Sequence, residues 1–426
     1  MRKIENYISN LKIKSFKGLE DVEIKDCKKL NILVGENNAG KTTVLEAVRC
    51  FYKPWDYMEY INILKRNPYA NFSSFSLLPQ MFNQRNNSDL VEIIAEIDKK
   101  ENSLKIKKDL RTIVIEPPEI EVLELLEKFY TKELKKNNLK KENDFIKISS
   151  LKNGSKILRL ISSYGDAQLF QILYEIIINK RNTTEEKLSR IKNLKRAFLN
   201  KKKIQNILEL SFSFFNKENK LTFYKDDFNT SQDEKYTEEF LKVRYSNPLD
   251  YLLDNYSNEA IDTVIRSGEK NKIIDILKLF EESVFDFNIL SDGQIIVNLK
   301  NREGEKVSIG ISNFGDGMKK ALVLISKLIA CENGILLIDE LETGIHKDVM
   351  GKIFNYILKE AEKYNVQLFV ATHSLEAIET LLINCEENLE NVSVYRLEHY
   401  QDSIYTKKFS GERAYDIVID EGRDLR

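Results

Sequence analysis

The chain has 426 residues, with 66 Lys and Arg against 67 Asp and Glu and a formal net charge of −1. That balance excludes the strong overall positive field of a dedicated nucleic-acid binder, and 42% hydrophobic with 31% charged residues excludes a disordered or fibrous chain. At roughly 100 to 200 residues per domain, the length predicts two or three domains, or one large domain carrying an insertion.

Leu11 to Phe16 and Val22 to Lys25 alternate apolar and polar residues, which predicts two half-buried strands joined near Gly18. Leu30 to Val34 reads as a buried strand that runs into a glycine-bearing turn, and Thr42 to Phe51 follows with helical spacing. The pattern weakens from 52 to 88, and Val91 to Ile97 resumes strand character. Between 102 and 205 the chain is rich in Lys, Glu and Asn. This stretch is expected to be a mainly helical insertion, with an amphipathic helix at Ile120 to Tyr130, further helix around Ala167 to Ile178 and a hairpin around Asn153-Gly154. Leu210 to Phe214 and Leu221 to Tyr224 predict a second hairpin. Helix returns at Ile273 to Phe280, then strands Phe287 to Leu290 and Ile295 to Leu299 flank an Asp292-Gly293 turn.

From Met318 the types alternate: helix to Ile329, strand Ile335 to Ile338, helix Val349 to Tyr364, strand Gln367 to Ala371 and helix Leu375 to Leu382. Such an order builds a parallel sheet covered by helices. Strands Val392 to Leu397 and Ile404 to Phe409, and a short helix from Glu412, close the pattern. The expected fold class is α/β, with an antiparallel β subdomain beside the parallel sheet. The expected division is core at 1–101, insertion at 102–205 and core again at 206–426.

Gly35-Glu36-Asn37-Asn38-Ala39-Gly40-Lys41-Thr42 fits the phosphate-loop pattern G-x-x-x-x-G-K-[ST], directly after a strand and before a helix. In that setting backbone N–H groups and the helix N-terminus surround phosphates, Lys41 reaches the β and γ phosphates, and the Thr42 hydroxyl serves Mg²⁺. Ile335 to Glu340 is an apolar strand ending in two acids, so that Asp339 can serve the Mg²⁺ shell and Glu340 can polarise a water. ATP and Mg²⁺ are the cofactors this pairing predicts.

With these residues, three further segments complete a resemblance. Ser312-Asn313-Phe314-Gly315-Asp316-Gly317 stands where ABC-type ATPases carry their signature, Glu342-Thr343-Gly344-Ile345-His346 fills the D-loop, and Thr372-His373-Ser374 looks like the switch-histidine segment. The wording, with Asn37-Asn38-Ala39-Gly40-Lys41-Thr42-Thr43, most resembles the OLD-like and RecF-like branch of the ABC-type P-loop ATPases, specifically over residues 1 to 51 and 287 to 426. That branch includes ATPase subunits of bacterial phage-defence systems. The resemblance implies an ABC-type core that hydrolyses ATP. It also implies a head-to-tail homodimer or higher homo-oligomer in which Ser312, Gly315 and Gly317 of one copy meet the γ-phosphate held by Lys41 of the other. Glu340 would be general base, His373 would contact the γ-phosphate and His346 would lie at the seam. The plainer readings are a helix start for the His373 segment and a surface loop for His346. The family's metal-contacting glutamine has only Gln80 and Gln84 as candidates.

Relatives of the OLD type carry a Toprim nuclease domain after the ATPase, but only 53 residues follow His373, below usual domain size. The chain is therefore expected to cut nothing itself. Its expected role is a nucleotide-controlled sensor or scaffold regulating a separately encoded effector, a nuclease, in anti-phage defence. The alternative is a RecF-like or SMC-like repair factor that clamps DNA. For that, ten basic residues and two acids between 180 and 203 offer a stripe for DNA or RNA. The competing reading of the stripe is a solvated helix face. The four cysteines, Cys27, Cys50, Cys331 and Cys385, form no Cys-x-x-Cys pair, so neither a zinc site nor a disulfide framework is expected. No apolar run approaches the ~20 residues that span a bilayer, and no apolar stretch follows the basic start at Arg2-Lys3. A cytoplasmic protein without a secretory signal is expected.

Overall fold

The computed structural model describes residues 7–65, 73–115, 119–135, 183–199, 203–214, 217–225, 230–232, 242–252, 254–401 and 403–426. By its internal contacts the chain divides into two compact units. The first comprises residues 1–109, 208–223 and 228–426, and the second residues 110–207 and 224–227.

Strands β1 (Ile8–Phe16) and β2 (Leu19–Ile24) form an antiparallel hairpin, and β3 (Leu30–Val34) follows. All five residues of β3 are buried, because helices cover both faces of its sheet. Helix α1 (Lys41–Tyr52) leads out of the loop after β3, and α2 (Tyr57–Leu64) and a short turn of helix at Ser74–Leu77 occupy the weakly patterned stretch. Strand β4 (Leu90–Ile97) pairs antiparallel with β1.

The first difference from expectation is β5 (Lys100–Ile115), a strand where the sequence suggested that helical insertion begins at 102. It pairs antiparallel with β4 from Ile97↔Lys100 to Leu90↔Lys107. Asp98 and Lys99 make the connection, both with positive φ (50° and 61°). That is the backbone of a tight hairpin turn, ordinarily signalled by Asn-Gly or Asp-Gly. Leu104 and Ile106 are buried while the intervening Lys105 is exposed, so the strand shows its period of two only once the lysines are read as its solvent face.

Strands β6 (Lys203–Phe214), β7 (Lys217–Tyr224) and β8 (Thr230–Gln232) extend this sheet, in the order β2-β1-β4-β5-β6-β7-β8. In the second unit, helices α3 (Glu119–Lys135) and α4 (Thr184–Leu199) bury Leu123, Leu126, Phe129 and Tyr130 together with Leu188 and Ile191. The expected hairpin at Asn153-Gly154 and helix at Ala167 to Ile178 lie outside the described residues.

The central sheet of the first unit runs β16-β15-β3-β14-β13-β9, from β9 (Val243–Ser246), β13 (Ile335–Asp339), β14 (Gln367–Ala371), β15 (Val392–Tyr400) and β16 (Ser403–Ser410). Five of its strands are parallel, and β16 alone runs antiparallel, on the edge. One face packs with α1, α2 and the first sheet, around Leu33, Leu45, Val48, Leu337, Phe369 and Tyr395. The other packs with helices α5 (Asp254–Arg266), α6 (Lys270–Lys278), α7 (Asp316–Ala330), α8 (Lys347–Lys363) and α9 (Leu375–Asn384). Full burial of side chains such as Ile32, Leu336 or Val370 contributes roughly 1.5–3 kcal/mol each.

A three-stranded antiparallel sheet, β10 (Val284–Ile289), β11 (Ile295–Lys300) and β12 (Lys306–Gly310), leads into α7. Chain order thus gives a mixed α/β fold with parallel and antiparallel sheets. Among the described residues, no helix is long and apolar enough to cross a membrane.

Candidate nucleotide site

Parallel pairing aligns the carboxyl ends of β3, β13, β14 and β9 along one edge of the sheet, which is where ligands bind in open α/β folds. The Gly35–Gly40 loop lies there. Gly40 takes φ 94°, a conformation that favours glycine, and a Cβ built on it would come within 2.8 Å of Leu19 Cδ2. It precedes α1 without any side-chain cap, leaving the first helical N–H groups for a ligand. Within the loop Ala39 is buried, whereas Glu36, Asn37 and Asn38 are exposed, as is Thr42 at the start of α1.

Lys41 is buried, and its Nζ donates to the carbonyls of Gly35 at 2.7 Å and Glu36 at 2.8 Å. Burial holds the Lys41 ammonium below its ordinary pKa, against the opposing pull of Asp339, Glu340 and Glu342. Thr42 Oγ1 donates to Asp339 Oδ2 at 2.9 Å, joining the start of α1 to the end of β13. Burial raises the Asp339 carboxyl above its ordinary pKa, and the hydrogen bonds from Thr42 and Tyr245 counter part of that. A hydroxyl and a carboxylate converging beside an open phosphate loop are hard oxygen donors, which fits Mg²⁺ bound by one or two protein groups plus phosphate oxygens. Thr43, next on α1, is partly buried.

Glu340 has φ 47°, in the left-handed region that a non-glycine residue rarely adopts. Its backbone N–H donates to Ala371 at 2.9 Å, and its Oε2 accepts from the Thr343 hydroxyl at 3.1 Å. With its side chain 40% exposed, Glu340 remains open to water. His373 follows β14, its Nδ1 lying 3.7 Å from Glu340 Oε1 and 3.7 Å from Glu342 Oε1. The capping expected as the plain reading of this segment is carried by its neighbours. Ser374 accepts from Ala377 N and Thr372 accepts from Ser374 N, which leaves the imidazole facing the acids.

Ser312 and Gly315 are exposed, and Gly315 precedes α7 without a side-chain cap. Gly317 is buried, with the Gly344 carbonyl and Phe280 Cε1 each 3.2 Å from where a Cβ would stand. Its lack of a side chain is therefore accounted for by packing against the D-loop within the same chain. His346 caps α8, its Nδ1 3.4 Å from Asp348 N, with its side chain 73% exposed.

Gln84 donates to the Pro79 and Phe82 carbonyls in its own loop. In the basic stripe, Lys195 pairs with Glu124 at 3.0 Å and Glu127 at 3.2 Å. All four cysteines are free, and burial pushes the thiols of Cys27, Cys331 and Cys385 up to about 12.

Three residues at this edge, Tyr245, Arg426 and His399, belong to none of the segments singled out in the sequence, and Glu342 gains a partner its segment does not announce. Tyr245, on the short strand β9, donates to Asp339 Oδ2 at 3.1 Å. Glu342 accepts from Thr372 Oγ1 at 2.7 Å, and Arg426 Nη1 donates to the His373 carbonyl at 2.9 Å. His399 Nε2 lies 3.1 Å from the Asn38 carbonyl, between β15 and the phosphate loop. Each comes from a segment remote in sequence from its partner, so only the sheet order brings them together.

The chain is 22% identical to an "ATP/GTP phosphatase" of Helicobacter pylori across 95% of its own length and 96% of that protein. Over 113 residues it is 31% identical to an uncharacterized protein of Methanocaldococcus jannaschii, covering 26% of this chain and 98% of the other. Among solved structures it is similar to the Smc head domain of Pyrococcus furiosus, with a TM-score of 0.43 and 11% identity over 98% of this chain and 100% of that one. A second is the Smc head domain of Thermotoga maritima, with a TM-score of 0.38 and 11% identity over 95% and 99%. The family model described as "AAA domain, putative AbiEii toxin, Type IV TA system" matches residues 30–379, and the chain belongs to that family of AAA-type ATPase domains.

Proposed function

We propose that this chain binds ATP with Mg²⁺ at the Gly35–Thr43 loop and hydrolyses it to ADP and phosphate. The observation that carries the reading is the Thr42–Asp339 hydrogen bond beside Glu340 and His373 on one sheet edge. The loop amides and the N-terminus of α1 receive the phosphates, and Lys41 transfers its ammonium from the Gly35 and Glu36 carbonyls to the β and γ phosphates. Thr42 and Asp339 would hold the Mg²⁺, which would supply neutralisation of charge on the phosphate oxygens. Glu340 takes a proton from the water that attacks the γ-phosphorus, and His373 contacts the γ-phosphate. The relative named ATP/GTP phosphatase supports nucleotide hydrolysis as the reaction.

Two copies would associate head to tail, Ser312 and Gly315 of one closing on the loop of the other and exposed His346 at the seam. The exposure of those residues at an uncapped helix start supports this arrangement. Gly317 serves in this reading as the spacer that lets the D-loop approach α7. Hydrolysis then acts as a timer for a sensor or scaffold that controls a separately encoded effector, a nuclease, in anti-phage defence. The family description, which names a type IV TA system, supports a partner encoded apart from this chain. Engagement of Lys195 by Glu124 and Glu127 supports reading the basic stripe as a solvated face before a DNA or RNA clamp.

The test is the hydrolysis rate per protomer across protein concentrations, with and without duplex DNA, beside Glu340→Gln. The proposal expects a rate that rises with concentration, indifference to DNA, and a fall of about 10²-fold or more in Glu340→Gln with ATP still bound. Wild-type hydrolysis in Glu340→Gln would overturn the base assignment, and DNA-stimulated hydrolysis would favour the clamp.

A further inference from the structure

The Asp339 Oδ2 atom accepts two hydrogen bonds, from Thr42 Oγ1 at 2.9 Å and from Tyr245 Oη at 3.1 Å. We propose that Tyr245 is a positioning residue for the metal site, holding Asp339 so that the carboxylate keeps accepting the hydrogen bond from the Thr42 hydroxyl and leaves the lone pairs of Thr42 Oγ1 for the cation. The proposal deepens the ATPase reading above and rests on it.

Several contacts fix Tyr245 in this position. Parallel pairing sets Tyr245 beside Leu337, two residues before Asp339 on the neighbouring strand, so the ring reaches along the sheet to the carboxylate. Arg49 of α1 lies over the ring, its Cζ 4.3 Å from the centroid, and Arg49 is itself held by Glu59 through an Nε–Oε1 bond of 2.7 Å. The Tyr245 carbonyl accepts from Lys327 Nζ of α7 at 2.7 Å, and Lys327 also pairs with buried Asp250. The ring is thus held from α1 and the backbone from α7, so the hydroxyl is aimed before any ligand arrives. A carboxylate with Thr42 as its sole donor would be free to rotate, and each encounter with the metal would have to reorder it.

Such a role predicts an effect on metal that a packing role does not. Tyr245→Phe keeps the ring and its contact with Arg49 and removes only the hydroxyl. The measurement is equilibrium binding of a fluorescent ATP analogue by the full chain, in EDTA and across a Mg²⁺ titration, with thermal unfolding in parallel. Expected for Tyr245→Phe is a rise of about fivefold in the Mg²⁺ concentration giving half the metal-dependent change, as for loss of one hydrogen bond. Binding in EDTA stays at the wild-type value, and the melting temperature falls by no more than the loss of one hydrogen bond accounts for.

Asp339→Asn is measured alongside. A shifted Mg²⁺ dependence in Asp339→Asn with none in Tyr245→Phe overturns the positioning role and leaves the ATPase reading standing. If Asp339→Asn itself keeps wild-type Mg²⁺ dependence, the metal-site reading fails and the role of Tyr245 falls with it. A drop in melting temperature with weaker binding in EDTA would make Tyr245 a structural residue and overturn the proposal.

Discussion

The Thr372 hydroxyl at the end of β14 donates to Glu342 Oε1 at 2.7 Å and accepts from Ser374 N at 3.0 Å, so one side chain ties the turn after β13 to the segment that carries His373. Glu342 Oε2 is buried and has no hydrogen-bond partner among the described residues, so the carboxylate depends on Thr372. In Thr372→Val the shape is kept and both bonds go. The expected destabilisation is about 1–3 kcal/mol, read as a lower melting temperature, with slower hydrolysis because His373 loses its support. An unchanged melting temperature would show that the bond contributes nothing.

Lys41 presents the opposite balance. Its ammonium is buried and held below the ordinary pKa, so it costs the fold some stability, which the proposed phosphate contact would explain. Lys41→Ala should therefore weaken ATP binding at least tenfold, about 1.4 kcal/mol, and leave the melting temperature equal or higher. Binding by a fluorescent ATP analogue and thermal unfolding check the two halves separately.

At Gly317 a methyl group would stand 3.2 Å from the Gly344 carbonyl and 3.2 Å from Phe280 Cε1. The ring can yield but the D-loop backbone must shift, so Gly317→Ala should cost about 1–3 kcal/mol as an overpacked contact. Denaturant unfolding measures it, and a loss below about 0.5 kcal/mol would mean that the D-loop gives way freely.

Lys320 is fully buried in α7, where its Nζ donates to the Asn247 carbonyl at 3.4 Å and lies 5.9 Å from the centroid of the Tyr251 ring. Burial lowers its pKa to about 8 from an ordinary 10.5. Between those values the unfolded chain binds the proton and the folded chain does not, so the contribution of Lys320 to stability rises with pH across that window. Below about 8 the buried charge carries its full cost. Lys320→Met should thus be more stable than wild type at pH 7, with the gap narrowing as pH rises toward 10.5. A gap independent of pH in thermal unfolding would remove the buried charge as its cause.

Sequence alone determined the elements whose signals are local. Alternation of apolar and polar residues located β1 and β4, apolar runs located β3, β13 and β14, and the glycine-bearing loop before α1 located Lys41 and Thr42. Those features follow from residues within a few positions of one another, so their periodicity is visible in the chain itself. The hairpin into β5 escaped because its Asp98-Lys99 turn lacks glycine and its solvent face is lysine-rich, which mimics a polar insertion. Tertiary structure alone decided which remote residues meet at the loop. The order β3-β14-β13-β9 sets Tyr245 against Asp339 across 94 positions of sequence, and Thr372 against Glu342 across 30. Neither pair has a spacing rule, because the distance between strands in a sheet is fixed by hydrogen bonding and not by chain length.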